Sequence, residues 1–238
     1  MPYPLRIFIG WDSREAECAD VMAYSIREHA TCPVDIRFLK EAACRDLMGY
    51  DPIPRGASTE FTYTRFLIPY ICNYQGVALF TDCDMVCYGD VADLQRQALA
   101  WNLRIEQENF RWSLACVKHE PQRVTGAVKM DGQPQVWYPR KNWSSVMLLN
   151  CAALTHWTKA IVEHAPGSYL HRFLDIPDDE ILSLDAAWNE LYELKHETRI
   201  RHWTEGGPWF EQCGDCQDAE EWLKWRDAYR ASLEQQEP

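Results

Sequence analysis

The sequence predicts an α/β fold in which helices flank a mixed, mainly parallel central sheet. Short apolar runs of strand length alternate along the chain with segments whose apolar residues recur at helical spacing. This alternation is typical of parallel sheets, in which ligands bind at the carboxyl ends of the strands. The length of 238 residues and the hydrophobic content of 47% suit one compact domain over residues 1–238.

The first predicted elements are a strand, a capped turn and a helix. Leu5–Gly10 is an apolar run that ends in glycine, and Asp12 begins a turn ahead of apolar residues at helical spacing over residues 18–26. Val34–Leu39 then predicts a second strand.

The middle of the chain predicts a helix, a buried strand and then two further strands. Residues 62–72 carry apolar residues at helical spacing, and residues 77–80 are typical of a strand that is buried on both faces. Strands are also predicted at residues 112–117 and 144–149. Asp131-Gly132 is expected to close a hairpin between them, which makes the predicted sheet mixed.

Helical patterns dominate the remainder of the chain. They cover residues 155–164 and 169–174, and an amphipathic helix follows at about 217–233. The apolar face of this last helix is expected to dock on the body of the domain and not on a partner, and it consists of Trp222, Leu223, Trp225 and Tyr229.

Charge and hydropathy argue against several classes of protein. The net charge of -12 and the pI near 5.0 repel polyphosphate, which disfavours a nucleic-acid binder. An anionic substrate would then require a local metal or arginine. No run approaches the roughly 18 to 20 apolar residues of a membrane span, and the first residues do not predict a signal peptide.

The ten cysteines are scattered and several lie in apolar runs, so we expect a reduced, cytoplasmic protein. Cys213 and Cys216 form a single C-x-x-C. Without a second pair this motif is weak evidence for zinc or redox chemistry, and a turn between helices is the preferred interpretation.

Asp82 and Asp84 follow the buried strand at residues 77–80 directly. The end of this strand supplies a turn, which lets Asp82 and Asp84 converge on one ligand. Hard cations prefer such oxygen ligands and bridge them to phosphates. The pair therefore predicts a divalent-metal site, with two solvated acids as the simpler alternative.

The motifs around this pair resemble glycosyltransferases of the GT-A (Rossmann-like) fold, especially family 8. In that family a buried strand ends in Asp-x-Asp, as residues 77–84 do, and residues 61–69 resemble its Tyr-x-Arg helix. Residues 143–150 are similar to its Asn-Ala-Gly-Val-Leu-Leu-x-Asn strand. Residues 178–189 and 200–209 resemble its Asp-Gln-Asp, Trp-Asn and closing His-x-x-Gly-x-x-Lys-Pro-Trp elements.

The resemblance implies a hexosyltransferase that moves a sugar from a nucleotide-diphosphate sugar, with UDP expected, to a small-molecule, glycan or lipid-linked acceptor. It also implies retention of the anomeric configuration. The implied cofactor is Mn²⁺ or Mg²⁺, held by Asp82, Asp84 and His202. In the family, the histidine of the closing His-x-x-Gly-x-x-Lys-Pro-Trp element is the third protein ligand of the metal. The oligomeric state stays open.

The resemblance also implies the residues that contact the substrates. Arg65 is expected to contact the donor, and Asp178 and Asp179 are expected to bind sugar hydroxyls or orient the acceptor. A helix cap after Pro177 is an equal alternative for Asp178. The implied donor-binding residues are Ile9, Gly10, Trp11, Asp12, Tyr63, Arg65, Asp82, Cys83 and Gly206.

The chain departs from the family pattern at several positions. Gly207 stands where the family has a lysine that contacts the diphosphate, and Trp143 stands at its first middle-motif asparagine. Asp179 replaces the family's glutamine. The candidate substitutes are Arg201, Arg199 or Lys195 for the lysine, and Asn142 or Ser144 for the asparagine.

Two other functions fit parts of this pattern. A phosphatase of the haloacid dehalogenase type would use Asp82 as nucleophile and Asp84 as acid-base, but it would begin its fold with this strand and leave His202 without a role. A non-catalytic nucleotide-sugar or carbohydrate-binding protein would keep the fold without turnover, and the missing lysine at Gly207 is compatible with it.

Overall fold

A computed structural model describes residues 3–108, 110–120, 128–129, 133–134 and 139–235. The strands in these ranges are β1 (Leu5–Gly10), β2 (Val34–Leu39), β3 (Val77–Thr81), β4 (Met85–Cys87), β5 (Leu114–Cys116), β6 (Val128–Lys129), β7 (Gln133–Pro134), β8 (Val146–Asn150), β9 (Ile181–Ser183) and β10 (Ile200–His202). The α-helices are α1 (Ala16–His29), α2 (Glu41–Met48), α3 (Ile68–Ile71), α4 (Ala92–Glu108), α5 (Lys159–His164), α6 (Gly167–His171) and α7 (Ala219–Glu234).

The central sheet has the strand order β2-β1-β3-β8-β5-β9 in the described part of the chain. β1 runs parallel to both β2 and β3, and β5 runs parallel to β9. β8 lies antiparallel between β3 and β5. The prediction of a mixed, mainly parallel sheet flanked by helices is therefore confirmed, and all the parallel strands end at the same edge.

A second pairing joins two chain segments that are far apart in sequence. β4 and β10 form an antiparallel pair in which Met85 lies opposite His202. The Trp203 amide extends the ladder by donating to the Asp84 carbonyl at 2.9 Å. This small sheet brings the chain after β3 next to the C-terminal region. β6 and β7 also pair antiparallel, while the turn expected at Asp131-Gly132 lies outside the described residues.

The helices differ from the sequence predictions in extent and number. Residues 62–72 were predicted as one helix, but they form a 3₁₀ turn at Thr64–Leu67 followed by the short α3. Neither α2 nor α4 was predicted. α4 begins after Asp90, whose carboxylate accepts from the Ala92 amide at 2.9 Å, and it leaves Leu99 and Leu103 more than half exposed. Exposed leucines blur the apolar stripe by which a helix is recognised.

α7 packs across α1 at the end of the chain. Trp222 is fully buried, and the Trp225 ring lies 6.1 Å from the Tyr24 ring and 5.4 Å from the His29 ring. Cys216 precedes α7 in a tight turn, where its amide donates to the Cys213 carbonyl at 3.1 Å. Across the described ranges, no helix has the length and apolar character needed to cross a bilayer.

Candidate active site

The chain turns between β3 and β4, and this turn orients the two acids of the Asp-x-Asp motif. The Asp82 amide donates to the Ser145 carbonyl at 2.9 Å, which holds the turn against the end of β8. Asp82 and Asp84 line one cavity, whereas the Cys83 side chain points inward and is fully buried. The implied donor contact of Cys83 therefore cannot involve its side chain.

His202 lies beside the acid pair, as predicted. Its Nε2 atom is 3.3 Å from Asp84 Oδ1 and 4.0 Å from Asp82 Oδ2. One ligand atom from each of Asp82, Asp84 and His202 fits within 4.8 Å of the others, and all three residues are buried. No other group of at least three His, Cys, Asp or Glu residues in the described chain meets this spacing, and the group does not include Cys213 or Cys216.

The electrostatics of this cluster favour a bound cation. Burial raises the pKa of Asp82, the Arg65 guanidinium opposes that rise, and the neighbouring Asp84 adds to it. Buried carboxylates are costly unless they are paired or coordinate a metal. Two carboxylates and an imidazole form a donor set that suits Mn²⁺ and is compatible with Mg²⁺. The residues present therefore fit a divalent cation.

Arg65 is a buried part of the site and does not form a surface salt bridge. Its Nη1 atom lies 2.7 Å from Asp82 Oδ1 and donates to the Ser144 carbonyl at 2.8 Å. The guanidinium also packs over the Phe61 and Phe80 rings, at 5.0 and 4.9 Å from their centroids. Arg65 thus links the turn that carries Asp82 and Asp84 to the segment before β8.

The cluster faces a cavity of about 650 Å³. A volume of this size is within the range of small-molecule and cofactor sites. The cavity includes Tyr63 and Arg65 from the predicted site, and also Asn142 and Ser144, the candidate substitutes for the middle motif. Its other polar lining residues include Thr59, Thr62, Lys141, Ser145, Ser168, His171 and Thr204.

His171 is a cavity residue that sequence reasoning missed. Its Nδ1 atom lies 2.8 Å from Ser144 Oγ, and its ring meets the Phe66 ring edge-on at 5.0 Å. Burial and the nearby Arg65 lower the pKa of His171 to about 3, so the imidazole is neutral at neutral pH. His171 lies on a short helix between weakly patterned segments, and nothing in its sequence neighbourhood points to the site.

Glu15 is a second missed residue, and it lies behind the acid pair. Its carboxylate is almost fully buried and accepts a hydrogen bond from Trp209 Nε1 at 3.0 Å. Burial, followed by repulsion from Asp84, raises the pKa of Glu15 to about 8. The sequence places Glu15 in a capped turn, where an acid is ordinarily solvated. Glu15 is buried in part because Trp209, which is far away in the sequence, packs against it.

Trp209 also explains the missing lysine at position 207. A Cβ atom added to Gly207 would lie 1.9 Å from the Trp209 ring, well inside any real contact. A lysine therefore fits at position 207 only if Trp209 moves away from Glu15. The adjacent Gly206 has φ of 105°, a conformation that favours glycine, so its role here is in the backbone turn.

None of the candidate substitutes for this lysine is among the described residues that line the cavity. Each pairs with an acid outside the cavity: Arg201 lies 2.8 Å from Asp218, Arg199 lies 2.8 Å from Asp93, and Lys195 lies 2.7 Å from Glu190. Successive residues of a strand face opposite sides, so Arg201 points away from the cavity into which His202 points. The described cationic side chains that line the cavity are Arg65 and Lys141.

The loop after β1 does not line this cavity. Ile9 is a core residue, and the Cβ position of Gly10 is blocked by the Phe61 ring. Asp12 is buried and accepts from the Arg14 amide and guanidinium and from the Glu60 amide. Trp11 packs under Lys40, whose Nζ lies 4.3 Å from the ring centroid. The Ile9 and Asp12 side chains serve the fold, which leaves Trp11 and the backbone for the implied nucleoside contact.

The structure places Asp178 and Asp179 apart from the cluster, and their expected contact with the substrates stays a prediction. They precede β9, whereas Asp82 follows β3, and both strands run in the same direction, so the two pairs lie at opposite strand ends. Asp178 lies 2.5 Å from Arg140 with its side chain 83% exposed. It does not cap the 3₁₀ helix, which begins after Pro177 without a side-chain cap.

Comparison with solved structures identifies the fold. The chain superimposes on the bifunctional glycosyltransferase WbbM with a TM-score of 0.56 at 15% identity, covering 95% of this chain and 50% of WbbM. GlyE of Streptococcus pneumoniae TIGR4 gives 0.56 at 15% identity, with 94% of this chain and 60% of GlyE covered. This chain thus spans about half to three fifths of those two proteins.

The galactosyltransferase LgtC, solved with donor and acceptor sugar analogues, matches over nearly its whole length. The TM-score is 0.53 at 14% identity, and the match covers 94% of this chain and 96% of LgtC. At such low identities the likeness concerns the fold alone. The described chain therefore has the GT-A glycosyltransferase fold that the motifs predicted.

Sequence comparison gives a nearer relative. No family model matches the chain. Protein CDI of Arabidopsis thaliana is 35% identical over 240 residues, which cover 95% of this chain and 87% of that protein. Identity at this level over nearly the full length of both chains demonstrates common descent. This chain belongs to the same family as Protein CDI.

Proposed function

We propose that this chain is a divalent-metal-dependent glycosyltransferase. It would transfer a hexose from a nucleotide-diphosphate sugar, with UDP as the expected nucleotide, to a small-molecule, glycan or lipid-linked acceptor. The observation that carries the proposal is the buried Asp82, Asp84 and His202 group, which faces a cavity of about 650 Å³. Its position at the carboxyl end of β3 agrees with ligand binding in α/β sheets.

Asp82, Asp84 and His202 would hold Mn²⁺ or Mg²⁺. When bound, such a cation supplies Lewis-acid stabilisation of the charge that develops on a departing nucleoside diphosphate. The protein contributes a rigid site, because β3 and the β4–β10 pair fix the ligands on both sides of the turn. Family 8 membership and retention of configuration belong to the proposal on the motif resemblance alone.

Arg65 and Lys141 would supply the remaining positive charge around the diphosphate. Arg65 is held in place by Ser144 and Asp82, and a fixed guanidinium is suited to planar pairing with phosphate oxygens. Lys141 lies between Arg140 and Asn142, which both have φ of 64°. Such φ values in residues other than glycine are uncommon and occur disproportionately at functional sites. Lys141 would take the place of the lysine that Trp209 excludes from position 207, because it is the lysine among the described residues that line the cavity.

The test combines metal-dependent stabilisation with a donor-hydrolysis assay. Thermal unfolding is measured with EDTA, with Mn²⁺, and with Mn²⁺ plus UDP, GDP or sugar donors. We expect Mn²⁺ with one nucleoside diphosphate to raise the Tm, and the matching donor to lose its sugar slowly. His202→Ala should weaken Mn²⁺-dependent nucleotide binding at least about tenfold, since it removes a ligand atom of the cluster. His196→Ala is the matched control, because His196 is exposed.

Each alternative function has its own outcome in this assay. Stabilisation without any sugar release would replace the transferase with a binding protein. Hydrolysis of simple phosphate esters that Asp82→Asn abolishes would indicate the phosphatase. Unchanged nucleotide binding in His202→Ala would remove His202 from the site and overturn the proposal.

A further inference from the structure

Asn189 is a buried amide that contacts the proposed metal ligand His202. It ends the 3₁₀ helix Ala186–Asn189 and is 1% exposed. Its Oδ1 atom lies 2.9 Å from His202 Nδ1, and its Nδ2 donates to the Asn142 carbonyl at 3.3 Å. Both ends of the amide are therefore engaged.

The orientation of this amide determines the tautomer of His202. The Asn142 carbonyl can only accept a hydrogen bond, so the Nδ2 end of Asn189 must face it. The Oδ1 end then faces His202, and because an amide oxygen only accepts, the 2.9 Å contact is a hydrogen bond only when Nδ1 carries the proton. The lone pair is left on Nε2, the atom that lies 3.3 Å from Asp84 Oδ1.

The backbone around Asn189 keeps this contact rigid. The His202 amide donates to the Glu190 carbonyl at 2.9 Å, and the Glu190 amide donates to the Ile200 carbonyl at 2.9 Å. The backbone that follows Asn189 is thus hydrogen-bonded to β10, the strand that carries His202. On its other side Asn189 holds Asn142, which lines the cavity at φ of 64°. The amide connects the metal cluster to the cavity wall.

We propose that Asn189 is a positioning residue that fixes His202 in the Nδ1-protonated tautomer, with Nε2 presented to the cation. The metal-binding part of this inference rests on the proposed function; the tautomer does not. Histidine ligands commonly donate their second ring N–H to an acceptor, and losing that acceptor typically lowers metal affinity 10- to 100-fold. An amide in this role leaves the charge of the cluster unchanged.

The experiment uses Asn189→Leu, which keeps the size and removes the acceptor, and Asn189→Asp, which keeps the acceptor. The first readout is the ¹⁵N shifts of the His202 ring in metal-free protein at a pH where the ring is neutral. The second is Mn²⁺ affinity, measured from the EPR signal of free Mn²⁺. We expect Nδ1 protonation in the wild type, a shift toward Nε2 protonation in Asn189→Leu, and about 10- to 100-fold weaker Mn²⁺ binding there. Asn189→Asp should keep the tautomer and most of the affinity.

Asn150→Leu is the matched control. Asn150 is also a buried asparagine, with Nδ2 donating to the Trp112 carbonyl at 3.0 Å, but it lies at the other end of β8 from Ser145. It should lose stability and keep its Mn²⁺ affinity. Equal losses of affinity in both leucine variants, or a wild-type His202 protonated on Nε2, would overturn the proposal. If the wild type binds no Mn²⁺, the glycosyltransferase proposal fails, and the ring shifts alone decide the role of Asn189.

Discussion

Single residues in the cavity wall carry consequences for pH dependence, and His171 is the clearest case. Its imidazole is held by Ser144 and lies near Arg65, so a charged form would be buried beside another cation. Its pKa in the folded protein is lowered to about 3 from an ordinary value of 6.5. The unfolded chain therefore binds a proton at mildly acidic pH that the folded chain does not bind.

His171 should make the protein less stable as the pH falls. Its contribution is fully present above pH 6.5 and is lost as the pH falls toward 3, by at most about 1.4 kcal/mol per pH unit. Urea unfolding at pH 7.5 and pH 5.0 measures this loss. We expect the stability of His171→Gln to fall less between these pH values than that of the wild type. His164→Gln, at an exposed histidine, should follow the wild type, and equal slopes for all three proteins would refute the assignment.

At the scale of elements, the last helix is coupled to the loop that carries Gly207. The Trp222 ring on α7 lies 5.0 Å from the Trp209 ring, and Trp209 in turn donates to Glu15. A chain of contacts therefore runs from α7 through the loop that carries Gly207 to the turn after β1. We infer that α7 stabilises the loop that carries Gly207 through the contact between Trp222 and Trp209, in addition to covering α1.

Trp222→Ala should destabilise the protein by about 3–5 kcal/mol, the cost of a large cavity in a packed region. Chemical denaturation monitored by circular dichroism measures the change. Lys224→Ala on the exposed face of the same helix should stay within about 0.5 kcal/mol of the wild type. A Trp222→Ala loss as small as that of Lys224→Ala would mean that α7 contributes little to the folded state.

At the scale of the whole molecule, the Asp82, Asp84 and His202 group depends on pairing between distant parts of the chain. Asp84 follows the third strand of the central sheet, and His202 ends β10 near the C-terminal region. The net charge of -12 repels an anionic donor at long range, so a cation at this junction would provide local attraction. Cation binding and the β4–β10 pairing should therefore stabilise each other.

Mn²⁺ should slow amide hydrogen exchange in residues 82–87 and 200–203 together. With the ligand at 100 times its Kd, binding adds about 2.7 kcal/mol, which allows up to roughly 100-fold slower exchange. Mass spectrometry of peptides from both segments measures the effect, and the edge strand β2 provides an internal comparison. Asp84→Asn should show no Mn²⁺ response. Protection confined to one of the two segments would contradict a shared site.

The sequence by itself predicted strands at β1, β2 and β3, the acid pair Asp82 and Asp84 at the end of β3, and His202 as its partner. These features are local or motif-based: a buried strand has a continuous apolar run, and acids at its end have a recognisable position. The mixed fold followed from the same alternation of elements. Short strands such as β4 and β10 were not predicted, because three residues carry too little pattern.

Only the tertiary structure decided which side chains complete the site. The alternation of β10 turns Arg201 away from the cavity and His202 toward it, and the Trp209 ring excludes a lysine from position 207. Asn189 acquires its role by contact with His202 and Asn142, residues from two other segments. Burial and partnership of this kind arise between segments far apart in sequence, so no local pattern records them.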